Sequence, residues 1–409
     1  MSTALGSRKT PPLKEGGGPE GARRRSADDP EGAGARGDDE DAPGAVGVEV
    51  AGATVVAEER EAEGAPAVAG AVSRLHAPQT EARSGSASRR MHRGDAKEPR
   101  VSERASRCNR DGREAGCGVA DASMALDLSA VGARSAPHVF SYAWKDAVLY
   151  ALSIGARRDE LAYLYEAHGP RVYPTFAVIP AMAAVNEGLA RTGAELEQIV
   201  HGAQELTLHA PLPPSGTLHT TGEVKAIHDM KKLAQIVVGT ETRGEDGALL
   251  AETEWVILVR GAGNFGGKPP PRKVDETPVP KDRPADFRLE EPTSPEQALL
   301  YRLTGDLNPL HADPDLAARV GFPQGPILHG LCTFGHLARA LIKVGLGGDA
   351  SRLQRLGAQF RRPVWPGDTL VSEGFFAGNR VALQTFAQGR PEPVLTSAWA
   401  QVKDPSAAE

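Results

Sequence analysis

An aspartate, an asparagine and a histidine, Asp306, Asn308 and His311, fall within six positions in the stretch YRLTGDLNPLHADPDLAARVGFPQGPILHG, residues 301–330. A carboxylate and an imidazole have different proton preferences. Together they can hold one water and act as acid and base in both directions of a reversible reaction. Pro309 disfavours helical backbone at Asn308 and Gly305 precedes the group, so these side chains belong to a turn. The spacing leaves a second reading open. Aspartate and asparagine commonly cap turns, so Asp306 could do only that, with His311 a hydrogen-bonded surface histidine. Asp-x-Asn also begins like a calcium loop, but Leu310 stands where an oxygen ligand is needed and His311 where glycine is required.

The elements around this turn are well marked. Upstream, Ser294 suits an N-cap, Pro295 the first helical position and Gln297 the third position of a capping box. Leu299, Leu300 and Leu303 form one apolar face, and Gly305 stops the helix. Downstream, Asp313 and Pro314 open a short helix that Gly321 closes. The run ILHGLCTFGHLARALIKVG follows. Ile327, Leu328, Leu331, Phe334, Leu337, Ala338, Leu341 and Ile342 leave it little polar face, which predicts a mostly buried helix over 327–344. On it His329 and His336 read as packing or hydrogen-bonded core histidines. Cys332 reads as a small buried hydrophobe with no base beside it in sequence. Four β-rich runs, 354–360, 369–377, 381–387 and 394–402, complete the chain between WPGD, AGN and GRPEP turns.

The preceding half is organised alike. The folded part is expected from about Phe140, with a helix over 142–156 that carries Val148, Leu149 and Leu152 and stops at Gly155. VYPTFAVIP, residues 172–180, has too many prolines for a central strand. Residues 181–189 suit a helix lying on a sheet. Strands are expected at 205–212 and 217–227, split by PPSG, and at 233–243 and 249–259, joined by GEDG. GNFGG, residues 263–267, lacks the Lys-Ser/Thr end of a phosphate loop and reads as a flexible strand terminus. Residues 268–292, with KPPPRK and ETPVPKDRP, read as a semi-rigid linker at a domain boundary. The domains expected are therefore 140–267 and 293–403.

Composition sets outer limits. The chain has 409 residues and a net charge of −6, which offers no basic field for nucleic acid or an anionic membrane. Cys108, Cys117 and Cys332 are the only cysteines, too few for a disulfide framework or a four-ligand zinc site, which favours a reducing compartment. No run of 18 apolar residues suggests a membrane span, and the N-terminus has neither an apolar signal core nor a transit-peptide composition. Residues 1–123 are dominated by Gly, Ala, Arg, Asp, Glu, Ser and Pro, and are expected to be a disordered tail. A regulatory or targeting tail, or translation from Met124, are the alternatives.

Two successive units of helix plus antiparallel sheet suggest a duplicated α+β fold. The stretch YRLTGDLNPLH…ILHGLCTFG resembles the signature of hydratase 2, the MaoC-like (R)-specific enoyl-CoA hydratases, which include the hydratase unit of peroxisomal multifunctional enzyme type 2. VYPTF, LHAPLP, GNFGG and AQFRRPVWPGDTL extend the resemblance over residues 140–402. It implies a double hot-dog fold, with an N-terminal hot dog shaping the acyl pocket and a C-terminal one carrying the chemistry. The implied reaction is reversible hydration of trans-2-enoyl-CoA to (3R)-3-hydroxyacyl-CoA in fatty acid β-oxidation, without metal or redox cofactor. Asp306 and His311 become acid and base, Asn308 positions them, and Gly330 offers a backbone N–H to the thioester oxygen. His201 and Gly202 of VHGAQE match a substrate-binding pair; read without the family, they are a helix end and its cap. Lys231 or Lys232 of IHDMKKL, a stretch longer than its counterparts, resembles a lysine contacting coenzyme A, though a solvated face explains it equally. Phe360 of AQFRRPV resembles a cleft-lining aromatic or is core packing. The resemblance further implies a homodimer and a peroxisomal location, although Ala407-Ala408-Glu409 is not a Ser-Lys-Leu-type tripeptide. A dehydratase for carrier-protein thioesters and a non-catalytic acyl-CoA-binding module are the competing readings.

Overall fold

The structure is a computed structural model that describes residues 125–272 and 277–403. The low-complexity segment 1–123, with its expected disorder, lies outside the described residues. In the first half β1 (His138–Tyr142) leads into α1 (Trp144–Ser153), α2 (Leu161–Leu164) and α3 (Val178–Arg191). Four strands follow: β2 (Ile199–Leu208), β3 (Gly216–Asp229), β4 (Leu233–Arg243) and β5 (Leu249–Arg260). Burial alternates along β3, as expected of strands with one face on a helix. That helix is α3. It rests directly on β3 at Gly222, where a Cβ would stand 3.0 Å from the Ala184 carbonyl oxygen. The GEDG turn joins β4 to β5 as the sequence predicts, with Gly247 at a φ of +80° that glycine tolerates.

The second half runs β6 (Phe287–Pro292), α4 (Gln297–Tyr301), α5 (Pro314–Arg319), α6 (Gly330–Ala340), β7 (Leu353–Phe360), β8 (Thr369–Ala377), β9 (Arg380–Ala387) and β10 (Pro393–Val402). Every α6 residue from Leu331 to Ala340 is buried. The strands form one ten-stranded antiparallel sheet in the order β1-β3-β4-β5-β2-β7-β10-β9-β8-β6. The halves meet at β2 and β7, paired from Ala203↔Gln359 to Thr207↔Arg355. Two helix-wrapped five-strand units sharing one sheet are a double hot dog. Tyr150, Phe176, Tyr301, Phe334 and Leu356 belong to one buried cluster, so the hydrophobic core runs through both halves.

Several sequence expectations are corrected. Backbone bonds from Gly132 to Val224 and Ser135 to Gly222 bring the fold's start ahead of Phe140. Tyr142 belongs to β1, so α1 begins only at Trp144. VYPTF is no central strand, as expected: it contributes a 3-10 turn, Pro174–Ala177, that runs into α3, with Pro174 at the first position where its missing N–H costs nothing. His201 and Gly202 are not a helix end but lie inside β2, where a bulge between His201 and Ala203 hides the strand pattern. The last residues of the expected linker form β6, an edge strand that tolerates Pro292 at its end. The helix predicted from Ile327 starts at Gly330, because the backbone at His329 is non-helical, at φ −57° and ψ 135°, and Leu328 is tied to Val364 at 2.7 Å instead. GNFGG is braced, not flexible. Asp229 accepts the backbone N–H groups of Asn264 and Gly266 at 2.9 and 2.8 Å.

Candidate active site

Gly305, at φ +137°, turns the chain out of the α4 region and presents Asp306. The Asn308 N–H donates to Asp306 Oδ1 at 3.2 Å, and Asn308 Oδ1 in turn accepts the Leu310 N–H at 3.0 Å. Asn308 thereby caps the 3-10 turn Pro309–His311 that carries the histidine. The capping role that competed with catalysis for Asp306 is real, since its carboxylate closes the turn at Asn308. Asp313 caps α5 through the N–H groups of Asp315 and Leu316, which fixes the far side of the turn. Ser294 and Gln297 hold the near side, the Gln297 side chain accepting the Ser294 N–H at 3.1 Å.

His311 is buried, which removes the surface-histidine alternative. Its Nδ1 lies 2.8 Å from the Ile327 carbonyl oxygen. A carbonyl only accepts, so Nδ1 carries the proton and Nε2 keeps its lone pair. Burial pushes the imidazole below its ordinary value, against the pull of the Asp306 charge and the Ile327 bond. The ring is therefore neutral at pH 7 and able to accept. One side-chain donor atom from each of Asp306, His311 and His329 lies within 4.8 Å of the others. A water that gives one O–H to each of two acceptors at about 2.8 Å spans roughly 4.4–4.8 Å, so one water can bridge a separation of this size between the aspartate and the histidine.

His329 is the residue that sequence reasoning missed. It is buried, its ring stacks on His311 at 3.7 Å and 28°, and its Nε2 donates to the Asp306 carbonyl oxygen at 3.1 Å. The only signal was its place directly before the glycine that opens the buried helix. The ring geometry of this Asp-His-His group is a poor match to a metal site. In-plane lone pairs of two rings stacked at 28° do not converge on a point about 2 Å from both nitrogens, as a metal bond requires.

Gly330 is the first residue of α6. The first N–H groups of a helix have no intrahelical acceptor, and the helix dipole adds positive potential there. A Cβ on Gly330 would meet the Phe360 ring at 3.1 Å, so any side chain would displace that aromatic. Phe360 also lies 4.8 Å from the His201 ring, which stacks on Trp255 at 4.9 Å and 7°. The structure thus assembles Gly330, Phe360, His201 and Trp255 into one wall that reaches from the C-terminal helix to the N-terminal strands. Burial lowers the His201 pKa to about 4, partly offset by its bond to the Ala203 carbonyl, so this wall is uncharged at neutral pH. Gly202 is close-packed, since a Cβ there would stand 2.9 Å from Leu258. A concavity of about 370 Å³ opens beside His311, with Pro295, Leu299, Pro326 and Trp365 among its lining.

Lys231 is not brought to this group. It sits exposed on the β3–β4 turn at φ +66°, its backbone N–H bonded to Asp229 at 2.8 Å. The register His201↔Ile257↔Ile236 puts β4 two strands from β2, roughly 10 Å across the sheet. Lys231 shares that end of the sheet with His201 without touching it.

Comparison with known proteins matches residues 140–261 to the MFE-2 hydratase 2 N-terminal domain and residues 276–390 to the MaoC like domain. The chain is 42% identical over 257 residues to 3-hydroxyacyl-thioester dehydratase Y of Mycobacterium tuberculosis, covering 60% of this chain and 86% of that protein. It is 36% identical to the peroxisomal enoyl-CoA hydratase 2 of Arabidopsis thaliana, covering 63% of this chain and 89% of the relative. Among solved structures, a MaoC-like dehydratase from Phytophthora capsici superimposes with a TM-score of 0.62 at 28% identity, over 69% of this chain and 100% of that one.

Proposed function

The chain belongs to the MaoC-like hydratase 2 family, and from that premise we propose that it hydrates trans-2-enoyl-CoA reversibly to (3R)-3-hydroxyacyl-CoA in fatty acid β-oxidation. The observation that carries the reading is the placement of the Asp306 carboxylate and the His311 ring within reach of one water. Both are acceptors: the carboxylate by charge, the imidazole because Nδ1 is tied to Ile327. Each takes one O–H of the water, which turns the oxygen lone pair toward C3 of the substrate. As the C3–O bond forms, one O–H breaks and its proton passes to the Asp306–His311 pair. The C2–C3 π electrons move onto the thioester oxygen, where the Gly330 N–H and the α6 dipole receive the charge. The pair then returns the proton to C2. Bonds and electrons balance with no change of oxidation state overall, so the proposal needs neither a metal nor a redox cofactor. Phe360 and His201 line the cleft, and the neutral aromatic wall suits an acyl thioester better than a charged one. Lys231, exposed at the same end as His201, is proposed to meet a phosphate of coenzyme A as a point charge.

A peroxisomal location and a homodimer belong to the same proposal. The Arabidopsis relative is named peroxisomal. A second reading is favoured by one finding: the Mycobacterium relative is named for dehydration of hydroxyacyl thioesters, which is this reaction reversed. Parallel rates on coenzyme A and carrier-protein substrates separate the two. The direct test is loss of the enone absorbance of trans-2-enoyl-CoA, followed by chiral separation of the product. The 3R alcohol is expected. A 3S product, or unchanged absorbance with bound ligand, overturns the proposal.

A further inference from the structure

His329 touches each of the parts the reaction uses. Its ring covers one face of His311 at 3.7 Å. Its Nε2–H holds the peptide carbonyl of Asp306 at 3.1 Å. Its own carbonyl accepts the N–H groups of Cys332 and Thr333 at 3.1 and 3.2 Å, so it is the N-cap of the helix that Gly330 opens. Below it the Tyr301 ring packs at 4.9 Å. Nδ1 is buried and has no hydrogen-bond partner among the described residues. A side chain kept only for packing would be expected to carry no such nitrogen, since an unpaired buried acceptor is unfavourable and an apolar ring of similar size avoids it. What an apolar ring cannot supply is the N–H to Asp306.

We propose that His329 is a positioning residue for the hydration: through one ring it fixes the Asp306 turn, the face of the His311 ring and the start of α6 relative to each other. This rests on the reading of Asp306, His311 and Gly330 given above. The physical reason is that the acid-base pair sits on a turn whose other restraints, apart from the His311 Nδ1–H bond to the Ile327 carbonyl, are local. Asn308 and Asp313 brace that turn against itself, whereas His329 ties it to the buried helix that supplies the N–H for the thioester oxygen. Loss of that tie lets the water and the oxyanion site drift apart. Displacements of about 1 Å in such an arrangement are enough to cost on the order of 100-fold in rate.

The test compares His329→Phe, which keeps the stacked ring and loses the N–H, with His329→Gln, which keeps an N–H and loses the ring, and with His329→Ala. Each is made in the full chain. We measure kcat and KM on a short trans-2-enoyl-CoA together with the thermal unfolding midpoint. The Phe variant is expected to lose kcat by about 100-fold, with KM and the midpoint close to wild type, and the Gln variant to recover a substantial part of that loss. A Phe variant with near-wild-type kcat shows that the ring only packs, and overturns the proposal. So does activity in the three variants that simply follows the unfolding midpoint. Should the Phe variant not fold, the Gln and Ala pair decides: Gln well above Ala supports the tie, and equal rates contradict it. Wild-type protein without hydratase activity would defeat the functional reading itself, a result that none of the variants can mimic.

Discussion

Asp306→Asn is expected to lower turnover of trans-2-enoyl-CoA by about 10²–10⁴-fold, the range typical of a lost general acid-base group. The amide has nearly the shape of the carboxylate, and its oxygen can still accept the Asn308 N–H now held at 3.2 Å, so the turn should persist. What disappears is a site that takes a proton. The water keeps its bond to His311 Nε2 but loses the group that shares its other O–H. The Phe360–His201 wall proposed to line the acyl cleft is untouched, so the loss should fall on kcat and not on KM. Enone absorbance decay and circular dichroism on the same preparation check it. A variant that folds and keeps near-wild-type turnover refutes the acid-base assignment.

Arg339→Met should lower the unfolding free energy by about 3–5 kcal/mol, because removing one member of a buried ion pair strands its partners. Arg339 lies on α6 and is fully buried. Its Nε and Nη2 donate to the two oxygens of Glu160 at 2.7 and 2.6 Å, and its Nη1 donates to Glu291 on β6. Tyr173 adds an O–H to Glu160 at 2.6 Å. Burial pushes the Glu160 carboxyl upward, but the bonds from Arg339 and Tyr173 outweigh it and leave the net shift downward. The variant therefore leaves carboxylates on two elements with less compensation, and weakens the seat of the helix that carries Gly330. Urea unfolding monitored by tryptophan fluorescence measures the change. A difference below about 1 kcal/mol would place the network with exposed ion pairs, which contribute little.

Much of the fold is written locally. GEDG, the Asp313–Pro314 start and the buried run after Gly330 are decided by a few neighbouring residues, and the structure keeps each of them; of the Ser294–Gln297 capping box it keeps the Gln297 arm, while α4 itself begins only at Gln297, after Glu296. The features that escaped depend on partners distant in sequence. His201-Gly202 resembles a helix end until β5 is paired alongside it. Residues 287–292 look like proline-rich linker until β8 supplies the ladder. Glu160 and Arg339 lie 179 positions apart and neither advertises the other. The site follows the same rule. Asp306, Asn308 and His311 were visible because one turn holds all three. The role of His329 depends on a stacking contact and a carbonyl bond that no spacing encodes.

The central claim, one water shared by an acidic and an imidazole side chain, is tested most directly by running the hydration in deuterium oxide. The configuration at C2, where the deuteron arrives, is then read against that at C3, where the hydroxyl arrives. A single water held by Asp306 and His311 delivers both from one face, so the account predicts syn addition. Hydroxyl and deuteron on opposite faces would contradict it.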